Sequence, residues 1–179
     1  MRVVGGEYRE GDAALLKARP WVARLTGAKF DHAALLWLRG DDWYTVEAGL
    51  TGVRAYPIGH WPREFAVFRP NSASASQGQM AATAGLRRLG ERYAFENLTA
   101  IVRKMLRRRV GIQAVVCTEL VQQAWERAGI VLCDGNLHPT PDELWAGLME
   151  ETGAVSVTWP PAYYVDPPPT DGKPIDGTV

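Results

Sequence analysis

The chain has 179 residues, 46% of them hydrophobic and 22% charged, a globular balance that suits one domain with a real core. Lysine plus arginine matches aspartate plus glutamate at 20 each, so net charge, as a whole-molecule property, argues against a nucleic-acid or membrane partner. Two cysteines, Cys117 and Cys133, exclude a disulfide framework and a cysteine-rich zinc site, and no apolar run approaches the roughly 18 residues of a membrane span.

The opening MRVVGGEYREGD is polar and carries no charged-then-apolar signal segment. The expectation is a protein without a transmembrane anchor, cytoplasmic as synthesised unless a phage or secretion system carries it elsewhere. A short helix is predicted from Pro20, a residue suited to the first helical turn, to about Gly27. A strand-rich block follows. HAALLWL (32–38), YTVEA (44–48), VRAYPI (53–58) and FAVFR (65–69) are rich in β-branched and aromatic residues. The breaks RGDD and GLTG separate the first three and predict an antiparallel meander. NSASASQG (71–78) reads as a loop leading into a helix, MAATAGLRRLG (80–90), that stops at a glycine.

Helical patterns then dominate. ENLTAIVRKMLRRR (96–109) sets Leu98, Ile101, Val102, Met105 and Leu106 on one stripe, its basic residues reading as solvated surface. CTELVQQAWERAG (117–129) gathers Leu120, Val121, Ala124, Trp125 and Ala128 on one face. TPDELWAGLMEE (140–151) opens with a capping box, Thr140 as cap and Glu143 three residues on. AVSVTW (154–159) is a last strand. Strands first and helices after predict an α+β domain over residues 1–160, an antiparallel sheet packed against helices. Residues 161–179 are Pro- and Gly-rich and read as a disordered tail.

Cys117 is the sharpest chemical feature. It follows the apolar AVV and is predicted to open its helix, where unpaired backbone N–H groups and the helix dipole favour a thiolate and can stabilise an oxyanion. A cysteine in that position is also a common small core residue, so a partner is needed. His32 supplies one at the start of a strand. Glu47 sits on the next strand, and a hairpin loop of two or four residues at RGDD places Ala34 opposite Glu47 and sets His32 one diagonal step away on the same face. A carboxylate there holds one imidazole nitrogen and leaves the other for sulfur. His60 reads as a loop residue, and the pair Cys133 and His138 has poor specificity as a metal or catalytic pair.

Taken in order, Gly11-Asp12, FDHAALL with His32, VEAGLTGVRAYPIGHW with Glu47, GERYAFENL with Tyr93, CTELV with Cys117, and TPDEL resemble the circularly permuted branch of the NlpC-type papain-like hydrolases, the YiiX-like proteins. The resemblance covers about residues 11–159. It implies a papain-like fold with the histidine and acid strands before the cysteine helix, and a Cys117–His32–Glu47 arrangement. It also implies a supporting role for Tyr93 near the site. Asp31, where the family usually has serine, is expected to support His32 by raising its pKa, and Thr118 replaces another usual serine. The activity implied is hydrolysis of an amide, a peptide amide such as that in murein, with no cofactor or metal. A lipid or acyl-ester hydrolase or acyltransferase on the same fold, or a non-catalytic structural or binding protein such as a phage component, are the alternatives. The partner is then a peptide or acyl substrate, and no nucleic acid.

Overall fold

A computed structural model describes residues 8–49, 51–61, 63–91, 112–133, 139–150 and 155–158. Its elements are β1 (Ala13–Lys17), α1 (Pro20–Thr26), β2 (Phe30–Arg39), β3 (Asp42–Gly49), β4 (Gly52–Pro57), a 3₁₀ turn (Ile58–His60), β5 (Phe65–Arg69), α2 (Ala75–Leu86), α3 (Ile112–Arg127), α4 (Pro141–Glu150) and β6 (Val155–Thr158). The strands form one antiparallel sheet in the order β4-β3-β2-β1-β5-β6. The class is α+β, as the segregation of strands and helices along the chain predicts.

β2, β3 and β4 form the expected meander. The β2–β3 loop has two residues, Gly40 and Asp41, between the paired Arg39 and Asp42, and Gly40 takes the positive φ such a tight turn asks for. β1 was not read as a strand of its own from residue pattern: AALLK is short and alanine-rich, with no alternation to mark it. It is nevertheless central, pairing β2 on one side and β5 on the other, with its first four residues buried on both faces.

The two sheet faces have separate cores. Leu15, Leu35, Val46, Ala48 and Phe68 pack beneath α2, α3 and α4. Leu16, Leu36, Trp61 and Val67 form a smaller cluster on the opposite face. Helix α2 lies very close to the chain near β1, because Gly11 and Gly78 meet backbone to backbone; a Cβ on Gly11 would lie 2.2 Å from the Gly78 carbonyl oxygen.

Four helices carry physical lessons at their boundaries. α1 starts at Pro20 and ends with Gly27 in the left-handed region, as its sequence predicts. α4 starts behind the predicted capping box, with Glu143 N–H donating to Thr140 Oγ1 (3.2 Å) and Thr140 N–H to Glu143 Oε2 (2.7 Å). α2 begins at Ala75, five residues before the predicted start, because Ser74 and Gln77 make a capping box inside the serine-rich stretch that read as loop. α3 begins at Ile112, so Cys117 lies inside the helix rather than at its start. The predicted helix over 96–109, Tyr93, His138 and the 161–179 tail lie outside the described residues.

Candidate functional site

The site forms where β2 enters the sheet. β1 and β2 pair in register from Ala13–Leu35 to Leu16–His32, and the next pair is Lys17–Phe30, so Asp31 is an extra residue in a β-bulge. A bulge turns the strand locally and re-aims the side chains beside it. Phe30 thereby packs toward the helix-side core while Ala34 and Leu36 face the other cluster, and His32 stands at the changeover between them.

His32 is 6% exposed. Its Nε2 hydrogen-bonds Glu47 Oε2. The second carboxylate oxygen, Oε1, accepts from the Trp61 indole Nε1–H (3.2 Å) and from Thr45 Oγ1 (3.3 Å). Trp61 also meets the imidazole edge to face, with ring centroids 5.7 Å apart. Glu47 is therefore fixed by three groups, and it fixes the ring.

Nε2 being committed to Glu47, the nitrogen left for sulfur is the buried Nδ1. Cys117 reaches this end of the sheet from α3, and its Sγ accepts the backbone N–H of Ala33 at 3.2 Å, the residue next to His32. Burial acts first on His32 and pulls the imidazole toward its neutral form. The charge of Cys117 and a hydrogen bond to it, then the hydrogen bond and charge of Glu47, outweigh burial and push the ring up from its ordinary 6.5 to about 10. The arrangement sets a buried imidazole between a carboxylate and a cysteine sulfur.

Two expectations are corrected here. Cys117 sits more than one turn inside α3, so its own N–H belongs to the helix ladder, and the polar donor at the sulfur comes from strand β2. The Asp31 carboxylate is bonded to groups other than His32. It takes a two-pronged hydrogen bond from Arg63, at 3.0 Å for each prong, and the backbone N–H of Arg19 at 3.0 Å. Asp31 is the bulged residue, and its side chain is turned to Arg63.

Other residues singled out by sequence lie apart. Asp12 is buried and bound in two places by Arg69, Nε to Oδ1 at 2.7 Å and a terminal guanidinium nitrogen to Oδ2 at 2.6 Å. Burial lifts its carboxyl above the usual range despite the hydrogen bonds from Arg69 and the Arg9 backbone, which pull the other way. Its place is structural: it ties the chain before β1 to the end of β5. Thr118 is buried and donates its hydroxyl to the Pro139 carbonyl, tying α3 to the approach to α4. Cys133 packs in the core against α4, its thiol directed to the Glu143 carbonyl at 3.5 Å. His60 is exposed and stacks on Tyr56, with centroids 4.6 Å apart. Trp61 and Thr45 were not singled out as site residues. The tryptophan stands in the quoted IGHW segment, but nothing in its local pattern distinguishes an indole that serves a carboxylate from one that fills a core.

Among solved structures, the chain is similar to the metalloprotein yiiX from Escherichia coli O157:H7. The two share 19% identity over 87% of this chain and 91% of that one, with a TM-score of 0.52. The likeness shows a YiiX-like fold. No family model matches the chain, and no curated protein matches it.

Proposed function

We propose that the protein is a cysteine hydrolase that cleaves an amide bond, most naturally a peptide amide, on a circularly permuted papain-like fold of the NlpC type. The observation that supports this reading best is the buried imidazole joined to Glu47 on one side and influenced by Cys117 on the other. A purely structural cysteine needs no such company. Burying an imidazole and a carboxylate together costs several kcal/mol of desolvation that an apolar pair of the same volume does not incur, and active sites are where such costs are retained.

In the proposed reaction His32 Nδ1 takes the Cys117 proton as the sulfur attacks the substrate carbonyl carbon, forming a C–S bond and a tetrahedral oxyanion. The Ala33 N–H, already directed at the sulfur, stands next to the position where that charge develops. His32 Nδ1 gives its proton to the leaving amine as the C–N bond breaks, leaving a thioester. Water then gives a proton to His32 as its oxygen attacks the thioester carbonyl; the C–S bond breaks, the acid departs, and His32 returns the proton to the Cys117 sulfur. Glu47 holds the ring with Nδ1 toward sulfur throughout, and Tyr93 is assigned a supporting role at the same site. Cys117 is wholly buried, so substrate entry requires local opening around it.

The similar E. coli structure is described as a metalloprotein. Among the described residues of this chain no three His, Cys, Asp or Glu side chains converge as a ligand set. No helix among the described residues is long and apolar enough to cross a membrane.

The direct test is intact-mass spectrometry with a panel of peptide amides, activated peptide esters and acyl-lipid esters. A transient mass increase equal to the acyl half of a peptide, mapped to Cys117 and missing in Cys117→Ser, supports the reading. Acylation only by lipid esters would move the activity to acyl-ester chemistry, and acylation at Cys133 would overturn the assignment of the nucleophile.

A further inference from the structure

The overall charge balance conceals a local imbalance. From Lys17 to Phe30 the chain carries four basic residues, Lys17, Arg19, Arg24 and Lys29, and no acidic one. Within this segment lies α1, which buries none of its residues. Its two large apolar side chains, Trp21 and Leu25, are four apart and so share one side of the helix, and they are 60% and 64% exposed. Single exposed apolar residues are ordinary, but a tryptophan and a leucine side by side on a helix that contributes nothing to the core are not explained by folding.

The charges around them identify what this face suits. Lys17 is neutralised by Glu64 at 2.8 Å. Arg19 lies 3.9 Å from Asp31, whose carboxylate is already held by Arg63, and its side chain is 55% exposed. Arg24 is exposed beside Leu25, and the exposed Lys29 sits over the Trp145 ring at 3.8 Å. An apolar wedge of tryptophan and leucine flanked by arginine and lysine is complementary to an anionic lipid surface, where the rings and aliphatic groups enter the headgroup region and the cations meet phosphate.

We propose that α1 is a peripheral membrane-docking element that seats the protein reversibly on anionic lipid. The position in the fold gives this a consequence for the candidate site. Leu16 pairs with His32, and the Arg19 backbone N–H is bonded to Asp31 in the bulge, so α1 and the start of β2 share one end of the sheet. Docking through Trp21 and Leu25 brings that end toward the lipid. The proposal does not rest on the hydrolase reading, since binding is measured without turnover.

The test is co-sedimentation of the full chain with vesicles of phosphatidylcholine alone and of equimolar phosphatidylcholine and phosphatidylglycerol. The wild-type protein is expected to bind the anionic vesicles, to release in high salt, and to leave the neutral vesicles in solution. Trp21→Ser with Leu25→Ser should weaken binding at least about tenfold, as loss of two buried apolar side chains implies. Arg24→Gln should weaken it about fivefold on anionic vesicles only. Because these side chains are exposed, circular-dichroism melting should be unchanged and so separate lost docking from lost folding. Cys117→Ala should bind as the wild type does. No binding to anionic vesicles, or binding that survives the double substitution, overturns the proposal. So does a dimer that the double substitution converts to a monomer, because a second copy would then cover the face.

Discussion

Glu47 is the residue on which the site turns, because it is both held and holding. Trp61 and Thr45 fix one carboxylate oxygen, and the other fixes His32. Trp61→Phe, which keeps an aromatic ring but removes the indole N–H, should leave the fold intact and lower turnover by at least about tenfold, since one hydrogen bond to a charged group is worth about 1.5–3 kcal/mol. Thermal unfolding beside steady-state kinetics separates the two effects. The ionisation of His32 provides a second readout. Its folded pKa lies above the ordinary 6.5, so between about 6.5 and about 10 the folded chain keeps a proton that the unfolded chain gives up. The stability this group contributes is full below about pH 6.5 and is lost as pH rises toward about 10. Both Cys117→Ala and Glu47→Gln remove an influence that raises the ring, so each should lower the His32 midpoint in an NMR titration. An unchanged midpoint in Cys117→Ala would separate the sulfur from the imidazole. The same-face relation of His32 and Glu47 can be worked out from sequence because an even hairpin loop and a two-residue side-chain period determine it. The roles of Trp61 and the Ala33 N–H cannot, since both depend on segments distant in the chain meeting in space.

At the level of elements, the ends of the helices do more than stop them. The first turn of α4 carries Asp142, whose carboxylate accepts the backbone N–H groups of Lys29 (3.1 and 3.0 Å) and Phe30 (3.0 Å). A helix start more than a hundred residues away thus pins the entry to β2, just before the bulge that sets His32. Asp142→Ala should cost about 1–3 kcal/mol in denaturant unfolding and also reduce activity, because two backbone donors lose their acceptor at the strand that carries His32. Thr140→Ala removes only the cap of the same helix and should cost about 1 kcal/mol with little effect on His32. The Thr140–Glu143 cap was legible because its residues are three apart. Asp142 was not, because its partners are on another element. The earlier start of α3 was not legible: the AVV before Cys117 resembles the end of a buried strand as much as the first turns of a buried helix, and apolar runs of that length do not distinguish the two.

Across the whole molecule, a six-stranded sheet with three helices on one face brings together a histidine from near the start of the chain and a cysteine from two-thirds along it. The class and the meander follow from where apolar alternation and glycine breaks fall. The central place of β1 does not, since AALLK has the composition of a helix or a loop and becomes a strand because β2 and β5 pair with it. Gly11 secures this arrangement at the join to α2. Its φ of +82° disfavours any side chain, and Gly11→Ala would also drive a methyl into the Gly78 carbonyl. This substitution should cost at least about 3 kcal/mol in denaturant unfolding, whereas Gly40→Ala in the open hairpin turn, with no neighbour within 4 Å, should cost less. On the function proposed above, this assembly makes Cys117 a nucleophile through His32. This is tested most directly by labelling with iodoacetamide across pH and mapping the modified peptides by mass spectrometry. Near pH 6 Cys117 should be labelled well before Cys133, and His32→Ala should slow Cys117 at least about tenfold while the protein stays folded. Labelling of Cys117 that is no faster than that of Cys133, or that is indifferent to His32, would contradict it.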